Sequence, residues 1–211
     1  MINLVNVTKT FKKKLVLDNI TYTFSDGKIY GLYGCNGSGK TMLLRTVAGL
    51  IVPDSGKIFI DSKEMHKDIS FAPDCGIIIE NMELLPNFNA FDNLKLLSTI
   101  RKKATDEDII KSLERVGLNS DQKVKKYSLG MKQKLNIAQA IFEKPNILLL
   151  DEPTNAVDDV GVKLLYNIIF EEKNRGATII IASHHKEELI SLCDELIYIE
   201  GGHIDEELSN Q

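Results

Sequence analysis

Residues 34–41 combine the residue types that a phosphate-binding loop needs. Their sequence, Gly-Cys-Asn-Gly-Ser-Gly-Lys-Thr, matches the pattern G-x-x-x-x-G-K-[ST] in full. Glycines let a backbone turn tightly and aim its N–H groups at phosphate oxygens, and a helix that follows adds its positive N-terminal end. We therefore expect Lys40 to reach the β- and γ-phosphates of a nucleotide and Thr41 to hold Mg²⁺. The alternative is a glycine-rich turn that binds no ligand. Such a turn would not need every residue of the pattern, so the complete pattern favours phosphate binding.

A second group that could do chemistry lies at residues 147–152, Ile-Leu-Leu-Leu-Asp-Glu. The apolar run is typical of a buried strand, and acids at the carboxyl end of such a strand lie in the crevice where open α/β sheets bind ligands. We expect Asp151 to support Mg²⁺ and Glu152 to act as general base toward an attacking water. Alone, this pattern also fits an ordinary strand end.

The elements that must position these groups follow from apolar periodicity and turn residues. Strands are predicted at 2–8, 15–24, 28–33, 57–60, 147–151 and 178–182, and helices at about 40–49 and 159–172. The middle, from about 91 to 142, is predicted to be mainly helical. This order predicts an α/β fold with a mainly parallel core sheet, an N-terminal antiparallel β subdomain and a helical subdomain at about 85–145, all within one domain over 1–211.

The apolar residues of the helical middle are predicted to pack into the core. They are Leu94, Leu96, Leu97 and Ile100 in one stretch, and Ile109, Ile110, Leu113 and Val116 in the next.

Composition narrows the classes of function. The 211 residues include 26 basic and 30 acidic side chains, a formal net charge of -4, so no general attraction to nucleic acid is expected. Three scattered cysteines indicate neither a disulfide framework nor a zinc site. No apolar run approaches the roughly 18 residues of a membrane span, and the N-terminus lacks a signal-peptide pattern. We expect a cytoplasmic protein.

Three further segments resemble the ATP-binding domains of ABC transporters. Residues 127–133, Tyr-Ser-Leu-Gly-Met-Lys-Gln, resemble the LSGGQ signature of that family. Residues 151–158, Asp-Glu-Pro-Thr-Asn-Ala-Val-Asp, resemble its Walker B segment and D-loop, and residues 182–185, Ala-Ser-His-His, resemble its switch-histidine segment. With the phosphate loop, these motifs follow the family order across essentially the whole chain, which implies a P-loop NTPase fold of the ABC type.

The resemblance implies a mechanism in which two such domains pair head to tail around two ATP molecules. Ser128 and Gly130, at a helix start, would face the γ-phosphate bound by the other subunit. Asp158 would cross the dimer seam, and His184 would contact the γ-phosphate. Phe11 lies where the family has an aromatic residue that stacks on adenine; a core or edge position is the alternative. His185 is the second candidate for the switch histidine.

The resemblance and the residues together predict a complete site for ATP and Mg²⁺. The expected catalytic residues are Glu152, His184 and Glu80, and the expected metal ligands are Thr41, Asp151 and Glu80. The expected nucleotide-binding residues are Phe11, Gly34, Asn36, Gly37, Ser38, Gly39, Lys40, Thr41, Met42, Ser128, Gly130 and Asp158.

Three positions depart from the common family pattern. Glu80 occupies the position of the Q-loop glutamine, Leu129 replaces the first glycine of LSGGQ, and Met131 replaces its glutamine. These residues resemble the bacitracin-resistance and lantibiotic-immunity branch of ABC exporters. In that branch the ATPase and the permeases are separate chains, which implies a homodimer, or a pair with a related ATPase, at the cytoplasmic face of the cell membrane.

Two other functions remain open at this stage. A soluble ABC ATPase acting on ribosomes or DNA usually has two such domains or long coiled-coil insertions, and salt-sensitive nucleic-acid binding would identify it. A nucleotide-sensing module with little turnover is suggested by Glu80 and Leu129, but the retained Lys40, Asp151 and Glu152 favour hydrolysis. The principal expectation is a subunit that hydrolyses ATP to power export of an antimicrobial peptide or a similar compound.

Overall fold

The computed structural model describes residues 1–79 and 83–205. Glu80 lies outside the described residues, so its expected roles as metal ligand and catalytic residue stay predictions. The strands are β1 (Ile2–Phe11), β2 (Lys14–Phe24), β3 (Ile29–Tyr33), β4 (Ser55–Ile60), β5 (Lys63–Glu64), β6 (Cys75–Ile78), β7 (Ile147–Asp151), β8 (Thr178–Ser183), β9 (Glu195–Glu200) and β10 (His203–Asp205). The helices are α1 (Lys40–Ala48), α2 (Ala90–Arg101), α3 (Asp106–Arg115), α4 (Leu129–Ile141), α5 (Asp159–Asn174) and α6 (Lys186–Leu192), with a 3₁₀ turn at Val124–Lys126.

The N-terminal part forms an antiparallel sheet of four strands in the order β2-β1-β4-β5. Side chains alternate between the two faces of this sheet, and one face is buried. Ile2 and Leu4 of β1 are fully buried, as are Ile58 and Ile60 of β4. The tip between β1 and β2 consists of Lys12 and Lys13, both at positive φ. This hairpin carries Phe11 to the edge of the phosphate loop.

The core sheet has six strands in the order β10-β9-β3-β8-β7-β6. Every neighbouring pair is parallel except β9 and β10. Strand β7 is apolar at four successive residues because both faces of the sheet are covered. Leu148 and Leu150 pack into a cluster with the helices on one face, whereas Ile147 and Leu149 pack into a second cluster with α1 and the antiparallel sheet.

Helices α2, α3 and α4 lie in sequence between β6 and β7, two strands that are neighbours in the core sheet. Each helix begins at a side-chain cap: Asn89 for α2, Thr105 with Asp108 for α3, and Ser128 for α4. The expected fold class is confirmed: an α/β protein with a mainly parallel sheet, an N-terminal antiparallel sheet and an inserted helical part. The bounds of about 85–145 for a helical subdomain stay a prediction.

The prediction that every apolar stripe packs into the core is wrong at three positions. Leu96, Ile100 and Ile110 are 44%, 76% and 47% exposed. Their neighbours Leu94 and Ile109 are fully buried, so each helix does bury one face. The apolar surface on these helices is wider than the face that the rest of the chain covers. In the described part of the chain, none of the helices has the length and apolar character to cross a membrane.

Candidate nucleotide-binding site

The phosphate loop connects the end of β3 to the start of α1, as its sequence predicts. Glycine is required at two of its positions by close backbone contacts. A Cβ at Gly34 would lie 2.2 Å from the Ile199 carbonyl oxygen, and a Cβ at Gly39 would lie 2.6 Å from the Val16 carbonyl oxygen. Gly39 also has a φ of +116°, which other residues rarely adopt. The loop is therefore wedged against both sheets.

The turn between β9 and β10 joins this loop to the antiparallel sheet. The Gly202 N–H donates to the Ser38 carbonyl oxygen, and the Asp18 N–H donates to the Gly202 carbonyl oxygen, both at 2.9 Å. One residue, Gly202 in the turn between β9 and β10, thus bridges the phosphate loop and β2 through its N–H and its carbonyl oxygen.

Lys40 folds back over the loop that precedes it. Its Nζ donates to the carbonyl oxygens of Gly34 at 2.7 Å and Cys35 at 3.1 Å. The residue is 5% exposed, and burial lowers its pKa, while the nearby carboxylates of Glu152 and Asp151 oppose that shift. The ammonium group is thus held in the pocket, where a phosphate could replace the carbonyl oxygens as its partner.

The site offers oxygen groups suited to Mg²⁺ and phosphate. The Thr41 hydroxyl donates to Asp151 Oδ2 at 2.6 Å, so the two expected metal ligands lie together. Ser38 Oγ is buried without a hydrogen-bond partner among the residues that the structure describes. In those same residues no cluster of three or more His, Cys, Asp or Glu side chains could hold a metal. This donor set fits Mg²⁺, which commonly takes one or two protein oxygens and completes its shell with phosphates and water.

A cavity of about 330 Å³ gathers most of the residues expected to bind nucleotide. It is lined by Phe11, Val16, Asn36, Gly37, Gly39, Lys40, Thr41, Met42, Arg45, Asp151 and Glu152. Val16 and Arg45 were not predicted. Arg45 lies four residues after Thr41 on α1, a spacing that places both on one helix face and could have identified it. Gly34 and Ser38 line an adjacent cavity, which shares Asn36 and Gly37 with this one.

Phe11 lies at the end of β1 and is 43% exposed. The Lys12 ammonium lies 5.6 Å from the centroid of the Phe11 ring. Phe11 also lines the nucleotide cavity, and its exposure suits a base-stacking role better than a core role.

Glu152 follows β7 and has a strained backbone, with a φ of +47°. Its Oε1 accepts hydrogen bonds from the His184 N–H at 3.1 Å and lies 2.7 Å from His184 Nδ1. The His185 ring lies against that of His184, with the ring planes tilted by 40° and 3.9 Å between the ring centroids. The geometry thus pairs the expected base with the first histidine, not with the second.

Ser128, Gly130 and Asp158 do not line the nucleotide cavity. They line a separate cavity of about 330 Å³ with Met131, Lys134, Ala156 and Val157. Ser128 Oγ caps α4 by accepting from the Met131 N–H, and Asp158 Oδ1 caps α5 by accepting from the Gly161 N–H. Leu129, at the first turn of α4, is 67% exposed. A single chain therefore keeps its signature residues apart from its own phosphate loop.

One hydrogen bond joins helix α4 to the segment that follows β7. Gln133 Nε2 donates to the Pro153 carbonyl oxygen at 2.9 Å. Sequence reasoning missed this residue as a functional candidate, although it lies within the quoted signature segment.

A phosphate loop after the first strand of a parallel sheet, with an acidic strand end beside it, defines a P-loop nucleotide-binding protein. Residues 17–155 match the family model described as ABC transporter. The chain belongs to this family, whose ATP-binding subunits are ATPases.

Three relatives are named as ATP-binding proteins of transporters or of transport. The chain is 61% identical to the ABC transporter ATP-binding protein YybJ of Bacillus subtilis (strain 168), over 97% of this chain and 95% of that protein. It is 37% identical to the lantibiotic transport ATP-binding protein SrtF of Streptococcus pyogenes, over 97% and 89% of the two chains. It is also 37% identical to the bacitracin transport ATP-binding protein BcrA of Bacillus licheniformis, over 99% and 69%.

The fold is also that of solved ABC cassettes. The structure superposes on the dimeric structure of MJ0796, a bacterial ABC transporter cassette, with a TM-score of 0.87 at 23% identity, over 97% of each chain.

Proposed function

We propose that this chain is the ATP-hydrolysing subunit of a membrane exporter and that it works as a head-to-tail pair around two ATP molecules. The observation that carries the pairing is the separation of two half-sites within one chain. The phosphate loop, Asp151 and Glu152 share one cavity, whereas Ser128 and Gly130 line another. In a head-to-tail pair, the start of α4 from one subunit would close the nucleotide cavity of the other, with its helix dipole aimed at the γ-phosphate.

Each residue of the cavity has a role in this proposal. Phe11 stacks on adenine, and the phosphate loop with Lys40 binds the β- and γ-phosphates. Mg²⁺, when bound through Thr41 and Asp151, would neutralise charge on the phosphates. Glu152 takes the proton of the attacking water, and His184 orients the carboxylate of Glu152 through the 2.7 Å contact. Glu80 as a further Mg²⁺ and water contact stays a prediction.

The transported compound is proposed from relatives, not from the site. SrtF and BcrA are described as lantibiotic and bacitracin transport proteins, which supports an antimicrobial peptide or a similar compound as cargo. The partners would be integral membrane permeases on separate chains, and the pair would be a homodimer or include a related ATPase. Such a subunit would lie in the cytoplasm, on the inner face of the cell membrane. No nucleic-acid partner is expected, given a net charge of -4.

The test is purification of tagged Glu152→Gln protein from its native membranes with ATP and Mg²⁺ present. This substitution keeps the shape of the side chain but removes the base, so the ATP-bound pair should persist. The matched control carries Lys40→Ala in addition, which should abolish nucleotide binding and therefore pairing. Size-exclusion chromatography with light scattering measures the pair, and mass spectrometry identifies co-purifying chains.

Three outcomes separate the possible functions. An ATP-dependent pair with a multi-span permease supports the proposal. Recovery of ribosomal proteins or DNA, without a permease, would replace it with the soluble alternative. If the wild-type complex turns over ATP no faster than the Glu152→Gln complex, Glu152 is not the base and the nucleotide-sensing alternative takes its place.

A further inference from the structure

A second carboxylate near Glu152 belongs to Glu188 of helix α6. Ser183, the last residue of β8, is fully buried between the two acids. Its Oγ lies 3.4 Å from Glu152 Oε2 and 3.3 Å from Glu188 Oε2. Glu188 belongs to none of the motifs by which the nucleotide site is recognised.

The Ser183 hydroxyl cannot satisfy both carboxylates at once. A serine hydroxyl has one proton to donate and two lone pairs that accept. One lone pair accepts the His185 N–H at 3.1 Å. The single hydroxyl proton must therefore point to Glu152 or to Glu188, and the two acids compete for it.

Tyr166 of α5 also interacts with Glu188. Burial, the charge of Glu188 and a hydrogen bond to its carboxylate raise the pKa of the Tyr166 phenol to about 12, so the phenol stays protonated and donates. The other oxygen, Glu188 Oε1, is buried, and none of the described residues reaches it with a hydrogen bond. Glu188 is thus an incompletely satisfied acceptor fixed beside the Ser183 hydroxyl.

We propose that Glu188 is a positioning residue for the general base and that it acts by drawing the Ser183 hydroxyl proton away from Glu152. This inference rests on the proposed role of Glu152 in hydrolysis. It assigns different tasks to the two carboxylate oxygens of Glu152. Oε1 is held by His184, and Oε2 keeps its capacity to accept the proton of the attacking water because Ser183 donates to Glu188 instead.

Loss of Glu188 would reverse this arrangement. The Ser183 hydroxyl would turn to Glu152 Oε2, 3.4 Å away. It would lower the basicity of the oxygen that has to take the proton. The expected consequence is a fall in kcat of about tenfold, the size of effect that one hydrogen bond to a charged group can have. The KM for ATP should not change, because Glu188 does not line the nucleotide cavity.

The decisive experiment is a double-mutant cycle of ATP turnover, measured on protein purified with its co-purifying membrane chains. Glu188→Ala should lower kcat about tenfold. Ser183→Ala, which removes the competing hydroxyl, should lower it less. The double variant should be as active as Ser183→Ala and therefore more active than Glu188→Ala. A merely structural role of Glu188 predicts instead that the two losses add, because each variant would weaken packing independently.

Two further variants complete the test. Glu187→Ala changes the preceding exposed acid of α6 and should leave turnover unchanged. Glu188→Asp retains the charge but shortens the side chain by one methylene, so it should also lower kcat. This variant keeps the inference testable if Glu188→Ala does not fold. Equal kcat values for Glu188→Asp and wild type would overturn the inference, as would a double variant less active than either single one.

The parallel Glu152→Gln measurement keeps the two proposals distinguishable. If Glu152→Gln loses turnover and the Glu188 variants do not, the positioning role fails while the proposed function stands. If Glu152→Gln retains wild-type turnover, the assignment of the base fails, and the role of Glu188 fails with it.

Discussion

Gly76 in β6 is the position where the fit of the helical insertion to the core sheet can be tested most directly. A Cβ at this position would lie 1.9 Å from the Ala140 carbonyl oxygen and 2.9 Å from Leu148 Cδ2. The first contact is with the backbone of α4, so no side-chain rotation can relieve it. Gly76→Ala therefore forces β6 and α4 apart.

The required movement sets the size of the effect. Ordinary van der Waals contact for a Cβ begins at 3.4 Å, so a contact of 1.9 Å requires a separation of about 1.5 Å. Overpacking of a close-packed interior costs about 1–3 kcal/mol, and a rigid backbone neighbour places this substitution near the upper value. For a domain of this size, about 3 kcal/mol corresponds to a fall in Tm of about 6–12 °C.

Thermal unfolding followed by circular dichroism, with urea titration for the free energy of unfolding, measures this effect. The control is Gly27→Ala, where no atom lies within 4 Å of the added Cβ and only a φ of +70° opposes it. That cost should be about 1 kcal/mol. Ala140→Gly should not rescue Gly76→Ala, because the clashing oxygen belongs to the backbone. A Tm for Gly76→Ala within about 2 °C of wild type would refute the packing argument.

Three other predictions concern charge, metal and backbone strain. The Lys144 ammonium, with the Thr105 hydroxyl and N–H, holds the pKa of Asp108 well below its usual range. Asp108→Asn should therefore lower the free energy of unfolding at neutral pH. The difference in that free energy between variant and wild type should shrink below about pH 4, where the unfolded carboxylate becomes protonated. Urea titrations from pH 7 to pH 3 test this sign, and a gap independent of pH would contradict it. Thr41→Val removes the hydroxyl that contacts Asp151, so turnover should fall about tenfold or more and need more Mg²⁺, as measured in a magnesium titration; unchanged magnesium dependence would contradict the assignment. Lys13→Gly relieves a φ of +67° and should raise Tm by about 1–4 °C, whereas a lower Tm would show that this backbone is not strained.

The phosphate loop and its flanking elements were predictable because their residue types have few other uses. A complete G-x-x-x-x-G-K-[ST] pattern after an apolar strand predicts the order strand, loop, helix, and α1 does begin at Lys40. The apolar run before Asp151 likewise predicts β7. Strands β5, β6, β9 and β10 and helix α6 were not predicted, since they are short and most of their sequences mix charged with apolar residues.

The sequence was less informative about which surfaces are covered. The apolar residues of α2 span a wide arc, since Leu94 and Ile100 lie six residues and about 120° apart around the helix. The sequence does not indicate which part of that arc the rest of the chain covers. Leu94 is fully buried and Ile100 is 76% exposed. Similarly, the contact of Ser183 with Glu188 joins residues that belong to different elements, and no motif marks Glu188.

Gly202 connects the phosphate loop to the antiparallel sheet that carries Phe11. The Gly202 N–H donates to Ser38, and the Gly202 carbonyl oxygen accepts from Asp18 of β2; the hairpin that contains β2 carries the aromatic ring of Phe11. The aromatic ring and the phosphate loop are therefore joined through backbone hydrogen bonds. We expect a ligand to gain both sets of contacts only when its base and its terminal phosphates are separated as in a nucleoside triphosphate. Inorganic triphosphate or a nucleoside would gain one set, although neither ever touches Gly202.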